Sequence, residues 1–294
     1  MNTQKAIRKK ARRALTPVQR IGRFVGTLLS NGILCVFSFT CFFPIIWMAY
    51  SSFKTSEEFN ADIVALPKGI DVSNYIEILK GTAMPRYMLN SLYITFLSLA
   101  LIVLLGFITG YFLGRFQFRG YRTVRMYYML GMLVPVHALM VPMYILFKNA
   151  HLSNNWFTLV IPYVAFGLPV TIFLVQSYVR SIPASMEEAA AIDGSSFSRT
   201  LFTIVFPMCL PILATVAIIE FFNCWNEFSF ALILINDEEL RTLPLGLSVL
   251  NGQYSSNYPK IITGMLIALL PASIIYFIFS KQIIKGMVTG AVKG

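Results

Sequence analysis

Long apolar segments are the feature of this 294-residue chain that most constrains its fold. Each segment is long enough to cross a bilayer as a helix, which needs roughly 20 apolar residues. A helix satisfies its own backbone hydrogen bonds in lipid, as no other open-ended element does. Only 13% of the residues are charged, against about 25% in soluble domains. The sequence therefore predicts an all-α polytopic membrane protein with six spans, near residues 25–49, 89–113, 126–147, 156–178, 209–235 and 261–280.

The N-terminal segment joins a basic stretch to the first apolar run. A secretory signal has the same order, but its apolar core is only roughly 7–15 residues long and a small-residue cleavage site follows it. The run at 25–49 is longer, and no such site ends it. We therefore expect a retained first span, a transmembrane domain over 25–280, a basic tail at 1–24 and a C-terminal tail at 281–294.

Lysine and arginine are distributed unevenly between the connections of the predicted spans. Seventeen of the 24 lie in the two tails and in loops 114–125 and 179–208, and seven lie in loops 50–88, 148–155 and 236–260. Because cytoplasmic loops carry the excess of basic residues, both termini and loop 179–208 are expected in the cytoplasm. The net charge of +11 is thus mainly a topology signal, with some contact between the N-terminal tail and anionic lipid. It does not indicate a nucleic acid partner.

One mildly polar stretch, residues 185–211, interrupts the apolar sequence on the predicted cytoplasmic side. Ser185 and Glu188 have the spacing of a capping box, in which the serine hydroxyl accepts from the Glu188 N–H and the carboxylate reaches back. Alanines follow, and Gly194 is expected to end this short helix because glycine adopts the left-handed conformation. A second helix then leads to Pro207, and its candidate N-caps are Ser195 and Ser196. A short alanine-faced helix outside the membrane favours close approach by another protein.

Two acidic residues, Glu220 and Glu227, lie within a predicted span. A charge in the bilayer core costs at least about 2.5–3.5 kcal/mol, so it normally faces the bundle interior or a wet cavity. On a continuous helix, Glu220, Asn223 and Glu227 share one face, with Trp225 among the flanking aromatic residues. This face could line a path for a hydroxyl-rich solute or pair with a neighbouring helix, and both interpretations are open. A proton relay is disfavoured because no second intramembrane acid or histidine chain accompanies the face.

The sequence contains no recognisable catalytic or metal-binding pattern. GxxxxGK[ST], GxSxG and HExxH are absent. The four cysteines lie in apolar runs without a CxxC pair, which indicates packing, and a lone histidine such as His137 is more often packed than catalytic. We expect no catalytic residue, no bound metal and no nucleotide site, so an integral-membrane enzyme is disfavoured.

The 185–211 stretch resembles the cytoplasmic EAA motif of the inner-membrane permease subunits of binding-protein-dependent ABC importers. That motif reads EAA, three residues, Gly, nine residues, Ile, one residue, then Leu-Pro. The matching positions are Glu188, Ala189, Ala190, Gly194, Ile204 and Pro207. Phe206 replaces the usual leucine and keeps an apolar residue there.

Other segments resemble the carbohydrate branch of this family, especially the maltose and multiple-sugar permeases; they include CWNEF at 224–228, TLPLGL at 242–247 and the C-terminal GAVKG. This resemblance implies a non-catalytic subunit of an ATP-driven sugar or oligosaccharide importer in the bacterial plasma membrane. A second permease subunit would complete the translocation path, and an extracytoplasmic solute-binding protein would deliver the sugar. Two ATP-binding subunits would dock from the cytoplasm and hold ATP and Mg, so this chain itself would bind no cofactor.

The resemblance also implies roles for individual residues. ATPase coupling would involve Glu188, Ala189, Ala190, Asp193, Gly194, Ile204 and Pro207. The C-terminal tail would contact the ATPase pair through Gly290, Lys293 and Gly294. The binding protein would contact Gly252, Gln253, Tyr254 and Tyr258. The candidate substrate path comprises Glu220, Asn223, Trp225, Asn226 and Glu227. The rival class, a secondary transporter, would favour inverted repeats and ion-coordinating groups, whereas this sequence shows no repeat and only one acidic face.

Overall fold

The structure is a computed structural model that describes residues 17–254 and 257–291. Within these ranges the chain is helical and contains no β-strand. It divides into two compact units, residues 1–70 and 71–294.

The first unit contains helix α1, Pro17–Ser51, and the short helix α2, Ser56–Ala61. Residues 24–51 of α1 are apolar and long enough to cross a membrane, which agrees with the first predicted span. A capping box begins α2, because the Glu58 N–H donates to the Thr55 hydroxyl at 3.2 Å and the Thr55 N–H donates to the Glu58 carboxylate at 3.4 Å.

Side chains from the end of α1 and from the turn after it hold the loop that follows α2. The indole Nε1 of Trp47 donates to the Ile63 carbonyl at 3.1 Å, and the Lys54 Nζ donates to the carbonyls of Asp62 and Ile63. The Tyr50 hydroxyl donates to the next carbonyl along the chain. The loop is therefore fixed through its backbone oxygens.

The second unit contains eleven α-helices in its described residues. They are α3 Ser73–Gly81, α4 Met84–Arg115, α5 Tyr121–Gly131, α6 Met140–Asn149, α7 Val160–Val179, α8 Ser185–Ile192, α9 Phe197–Thr200, α10 Phe206–Trp225, α11 Ser229–Leu234, α12 Leu243–Gln253 and α13 Tyr258–Ala291. Two 3₁₀ turns, Val136–Leu139 and Glu238–Leu240, and a π-helical segment, Leu201–Val205, complete the secondary structure. The described chain has five segments that could each cross a membrane, or six if α5 and residues 136–149 form one broken span.

The third apolar segment, where a span was expected over 126–147, is bent. Its two halves meet at 94° between Gly131 and Val136. Pro135 accounts for the break, because proline lacks the N–H that would continue the helix and also disfavours helical geometry at the residue before it.

The fifth apolar segment lies earlier in the chain than predicted, since it covers Phe197–Trp225 and α10 does not continue to residue 235. The Glu227 carboxylate accepts the N–H groups of Phe230 and Ala231 at 2.7 and 3.3 Å. This side chain therefore begins a separate helix, α11, instead of continuing α10.

Helices α4 and α7 pack together along a row of glycines. Gly106, Gly110 and Gly114 recur every fourth residue of α4 and so share one face. Each lies so close to α7 that no Cβ atom would fit without a shift of the facing side chain. The facing residues are Thr171, Val175 and Val179. Small residues at this spacing allow two membrane helices to approach closely.

Candidate functional site

Helix α8 is the short helix predicted in the 185–211 stretch, and it ends as predicted at a glycine. Gly194 has a φ of 79°, in the left-handed region. Its N–H donates to the Ala191 carbonyl at 3.1 Å, and the next N–H, of Ser195, donates back to the Ala190 carbonyl at 2.9 Å. This pair of hydrogen bonds is a Schellman motif, and it fixes the direction in which the chain leaves α8.

The capping box predicted for Ser185 and Glu188 is wrong. Ala184 is the N-cap residue and makes no side-chain capping bond, and the Glu188 N–H donates to the Ala184 carbonyl at 3.1 Å. Ser185 is already the first helical residue, so its hydroxyl is too far along the helix to act as the cap. The next helix begins at Phe197, with Ser196 in the N-cap position but without a side-chain capping bond.

Glu187 anchors α8 to the end of α4. Its carboxylate accepts a hydrogen bond from Arg115 Nε at 2.7 Å and another from the Tyr111 hydroxyl at 2.7 Å. The side chains of the ion pair are only 12% (Arg115) and 17% (Glu187) exposed. Glu187 was not among the predicted site residues. Adjacent helical residues point about 100° apart, so two consecutive glutamates have different surroundings, and this signal is visible in the sequence.

The outward side of α8 is formed by Glu188, Ala189 and Ile192, which we call the α8 outer face. All three are exposed, and the Ile192 side chain is 86% exposed. Ala190 is buried on the opposite side. Among the described residues, the Glu188 carboxylate has no hydrogen-bond or ion-pair partner. A partly apolar helix face with one free carboxylate is thus presented to the surroundings.

The other motif positions follow α8 along the chain. Asp193 and Gly194 are exposed at the turn. Ile204 lies in the π-helical segment and Pro207 is in the first turn of α10. The π-helical segment ends two residues before Pro207, and a proline both removes a donor and crowds the preceding turn.

Glu220 lies in the interior of the second unit, between helices. Its side chain is buried, and Oε2 accepts from the Asn223 amide at 3.3 Å. A Cβ atom added to Gly167 of α7 would lie 3.0 Å from the same oxygen. The carboxylate therefore faces α7, which favours the interpretation that Glu220 joins helices.

Glu227 does not share a helix face with Glu220, contrary to the prediction, because α10 ends before it. Besides capping α11, its carboxylate accepts from the Tyr163 hydroxyl of α7 at 3.0 Å. The expected face is thus divided into two separate contacts with α7, one buried at Glu220 and one partly buried at Glu227.

The end of α10 borders a cavity of about 250 Å³. Trp225 and Asn226 line it together with side chains of α12 and α13, among them Leu247 and Met265. Trp225 is nearly buried and stacks on Phe221, with ring centroids 5.8 Å apart. Asn223 and Asn226 are exposed. Of the two exposed amides, only that of Asn226 lines the cavity.

The Met84 end of α4 binds the connection between α11 and α12. The Asn90 amide donates to the carbonyls of Glu239 and Arg241 at 2.7 and 2.9 Å. The Ser91 hydroxyl accepts the Leu243 N–H at 2.8 Å. Much of the predicted outer loop 236–260 is therefore ordered helix and turn fixed to α4.

The residues expected to contact a binding protein lie around the α12–α13 connection. Gly252 and Gln253 end α12, Tyr254 follows, and Tyr258 begins α13. Gly252 and Tyr258 are exposed, and Lys260 Nζ lies 5.1 Å from the Tyr254 ring centroid.

The C-terminal residues proposed to contact an ATPase are only partly described. Gly290 lies in the last turn of α13, whereas Lys293 and Gly294 lie outside the described residues.

Apolar helices of membrane-spanning length, a helix with a partly apolar exposed face in one connection and buried polar contacts between spans define a polytopic membrane transport component. Residues 102–288 match the family described as "Binding-protein-dependent transport system inner membrane component". The chain belongs to this family, and it is a multi-pass protein of the bacterial inner membrane.

Individual relatives cover nearly the whole chain. A putative ABC transporter permease protein, ORF2, of a Caldicellulosiruptor species is 36% identical over 89% of this chain and 95% of its own length. The multiple sugar-binding transport system permease protein MsmG of Streptococcus mutans is 34% identical over 85% of this chain and 91% of its own.

A solved bacterial ABC transporter involved in the import of the acidic polysaccharide alginate has a similar fold. The similarity has a TM-score of 0.76 at 24% identity, and it covers 90% of this chain and 98% of that one.

Proposed function

We propose that this chain is a permease subunit of an ATP-driven, binding-protein-dependent importer for a sugar or oligosaccharide, in which it forms half of the translocation path. The observation that carries the proposal is α8, which presents Glu188 and Ala189 of the EAA motif on an exposed face. The family description supports dependence on a binding protein. The similarity to the multiple sugar-binding transport system permease protein MsmG supports a saccharide.

The orientation follows from the two ends of α4. This helix has 32 residues, so it is on the order of 45 Å long. Arg115 at one end contacts α8, and Asn90 near the other end contacts the 236–243 connection. Since the basic connections 114–125 and 179–208 share the Arg115 end, we propose that this end is cytoplasmic. The excess of lysine and arginine in the two tails supports the same side for both termini.

Coupling to two ATPase subunits, which bind ATP and Mg, is assigned to the α8 outer face. Ala189 allows close approach of a partner surface, Ile192 supplies apolar area, and Glu188 supplies a charge for a basic partner residue. The Gly194 turn sets the angle of α8. The C-terminal tail from Gly290 onward adds a second contact with the same subunits.

The substrate path passes the end of α10. Asn223 and Asn226 offer hydrogen-bond donors and acceptors, and Trp225 lines the neighbouring cavity with part of its ring. Glu220 and Glu227 stabilise this region through their contacts with α7. A second, non-identical permease subunit supplies the opposite wall.

The solute-binding protein is assigned to the opposite end of the molecule from α8. Gly252, Gln253, Tyr254 and Tyr258 surround the α12–α13 connection there. The exposed Tyr258 ring offers a large contact area at low entropic cost, which is typical of protein interfaces.

The test compares ATPase co-purification and uptake in cells that express the complete transporter. Glu188→Lys should reduce co-purified ATPase subunits about tenfold, the loss expected when one interface contact of roughly 1.4 kcal/mol is removed. Uptake of a labelled panel of maltose, trehalose, xylobiose, cellobiose and raffinose should fall in parallel. Glu57→Lys, at an exposed glutamate of α2, is the matched control and should change neither. If Glu188→Lys leaves both unchanged, the coupling role is wrong.

A further inference from the structure

Two consecutive glutamates of α8 have opposite surroundings, and the proposed coupling function uses only one of them. Glu188 lies on the α8 outer face, whereas Glu187 is directed into the second unit. A glutamate needed only for solubility or helix formation would not be placed against an arginine and a tyrosine. The position of Glu187 therefore calls for a separate role.

The Arg115–Glu187 pair joins α8 to the last residue of α4. The contact is directional, because Arg115 Nε and the Tyr111 hydroxyl donate to the two different oxygens of one carboxylate. Arg115 Nη2 is buried without a hydrogen-bond partner among the described atoms. Loss of Glu187 would leave a mostly buried guanidinium unpaired, so the pair resists separation.

Tyr111 extends the linkage into the packed interior. Its ring is 2% exposed, in a cluster with Phe107, Val175 and Val205. The Phe107 ring meets the Phe206 ring edge-on, with centroids 5.1 Å apart. Close-packed interiors transmit displacement because they have little free volume. A displacement of α8 at Glu187 therefore acts on α4, α7 and α10 together.

We propose that the linkage of Glu187 with Arg115 and Tyr111 is the positioning element through which movement of α8 reaches α4. In this arrangement Glu188 contacts the ATPase and Glu187 carries the resulting movement into the membrane helices. The inference rests on the proposed function, since it needs ATPase subunits docked on α8, and it adds the residues that connect docking to the path.

The experiment measures how the nucleotide bound to the ATPase subunits affects the far end of α10. It requires no saccharide. A variant in which the native cysteines are replaced carries Asn226→Cys, an exposed position. The intact transporter is purified with its ATPase subunits, and modification of residue 226 by a membrane-impermeant maleimide is measured without nucleotide and with MgATP plus vanadate. With wild-type Glu187 and Arg115, the two rates should differ about fivefold or more, the range of ordinary allosteric coupling.

Glu187→Gln and Tyr111→Phe, which keep the side-chain shapes, should retain the ATPase subunits but abolish most of this rate difference. The single reversals Arg115→Glu and Glu187→Arg should do the same, and the double reversal should restore the difference. Glu188→Gln is the contrasting variant, and it should weaken ATPase co-purification instead. If the single reversals fail to fold, Glu187→Gln and Tyr111→Phe still decide the question.

Three results would overturn the inference. One is a full nucleotide-dependent rate difference in both Glu187→Gln and Tyr111→Phe. Another is a loss of ATPase co-purification in Glu187→Gln equal to that in Glu188→Gln, because the pair would then only shape the docking surface. The third is failure of the double reversal to restore the rate difference when both single reversals fold. If the unaltered transporter does not retain ATPase subunits at all, the proposed function itself is wrong, and that outcome is recognised before any variant is compared.

Discussion

Gly110 of α4 lies directly against Val175 of α7, so closely that a Cβ atom on the glycine would be 2.8 Å from the valine Cβ. The same atom would lie 3.2 Å from the backbone nitrogen of Gln176. Relief of this contact would require movement of the helix backbone, since neither neighbouring atom is the free end of a long side chain. The separation of α4 and α7 is therefore set by the absence of a side chain at Gly110.

Gly110→Ala should destabilise the protein by about 1–3 kcal/mol, the usual cost of overpacking a filled interior. The free energy of unfolding in mixed detergent micelles measures the effect. Gly32→Ala is the matched control, because Gly32 is also helical and has nothing within 4 Å of its added Cβ. Equal stabilities for the two variants would show that the glycine contact is unimportant.

Substitution of Gly194 tests the backbone conformation at this turn without a change in packing. Its φ is 79° and nothing lies within 4 Å of an added Cβ, so a substitution there tests conformation alone. Gly194→Ala should cost about 1–2 kcal/mol, and Gly194→Asn should cost less because asparagine tolerates the left-handed region. ATPase co-purification and saccharide uptake should follow the same order, with wild type highest and Gly194→Ala lowest. The reverse order for Ala and Asn would exclude the left-handed turn as the requirement.

Glu227 and Tyr163 form a pair that a double-mutant cycle can resolve. Glu227→Ala removes the cap of α11 and leaves the buried Tyr163 hydroxyl without its acceptor, so we expect a loss of about 1–3 kcal/mol. Glu227→Gln retains an acceptor oxygen and should lose less. In Tyr163→Phe/Glu227→Ala the two losses should not add, with a coupling energy of at least about 0.5 kcal/mol. Additive losses in thermal unfolding would show that the hydrogen bond is not formed.

The sequence predicted those parts of the fold that depend on a single local feature. Apolar length located the long spans, and the Asp193-Gly194 pair correctly located the end of α8. The row formed by Gly106, Gly110 and Gly114 could also have been found, because its four-residue spacing is visible in the sequence and predicts close helix packing. It required only that glycines be examined for periodicity.

Other features depended on which of several possible partners each residue contacts, and the sequence does not show this. Residues 209–235 are almost continuously apolar, so nothing local indicated that Glu227 would cap a new helix in place of extending α10. Ser185 and Glu188 have capping-box spacing, but the helix begins one residue earlier than that pattern predicts, with Ala184 as the N-cap residue. The two glutamates of α8 could be distinguished only by which one met Arg115, a contact between residues 72 positions apart.

The carboxylate of Asp62 should make the stability of the loop after α2 depend on pH. The N–H groups of Val64 and then Ala65 donate to its carboxylate and hold its pKa below the ordinary value of 3.8. A lowered pKa in the folded state means that the stabilisation is complete above the ordinary value and is lost as the pH falls through the lowered one. Because Trp47 donates to the adjacent Ile63 carbonyl, its fluorescence should change only below about pH 4.

The fluorescence test uses a variant in which Trp47 is the only tryptophan. Asp62→Asn should remove the acid transition, since the amide oxygen does not titrate. Asp71→Asn is the control: the pKa of Asp71 is also lowered, by the Ser73 N–H, but that bond does not involve the loop. A transition that survives in Asp62→Asn would assign it to another group.

The last prediction separates the polar groups of the fifth apolar segment by their access to a solute. Asn226 is exposed and borders the cavity beside Trp225, whereas Glu220 is buried against α7. Asn226→Leu should therefore lower the kcat/KM of saccharide uptake about tenfold, as expected when one hydrogen bond of roughly 1.5 kcal/mol is lost. Its effect on the free energy of unfolding should be small, because the side chain is on the surface of the unit.

Glu220→Gln, which preserves shape, should show the opposite pattern. It should lower the free energy of unfolding, because Glu220 contacts α7 and not the cavity. The ranking of mono-, di- and oligosaccharides in competition uptake should be unchanged. Asn226→Leu should alter that ranking, since a hydroxyl-binding group at the path discriminates between saccharides that reach it and those that do not. A changed ranking in Glu220→Gln with an unchanged ranking in Asn226→Leu would place the path on the α7 side of α10 and reverse the assignment.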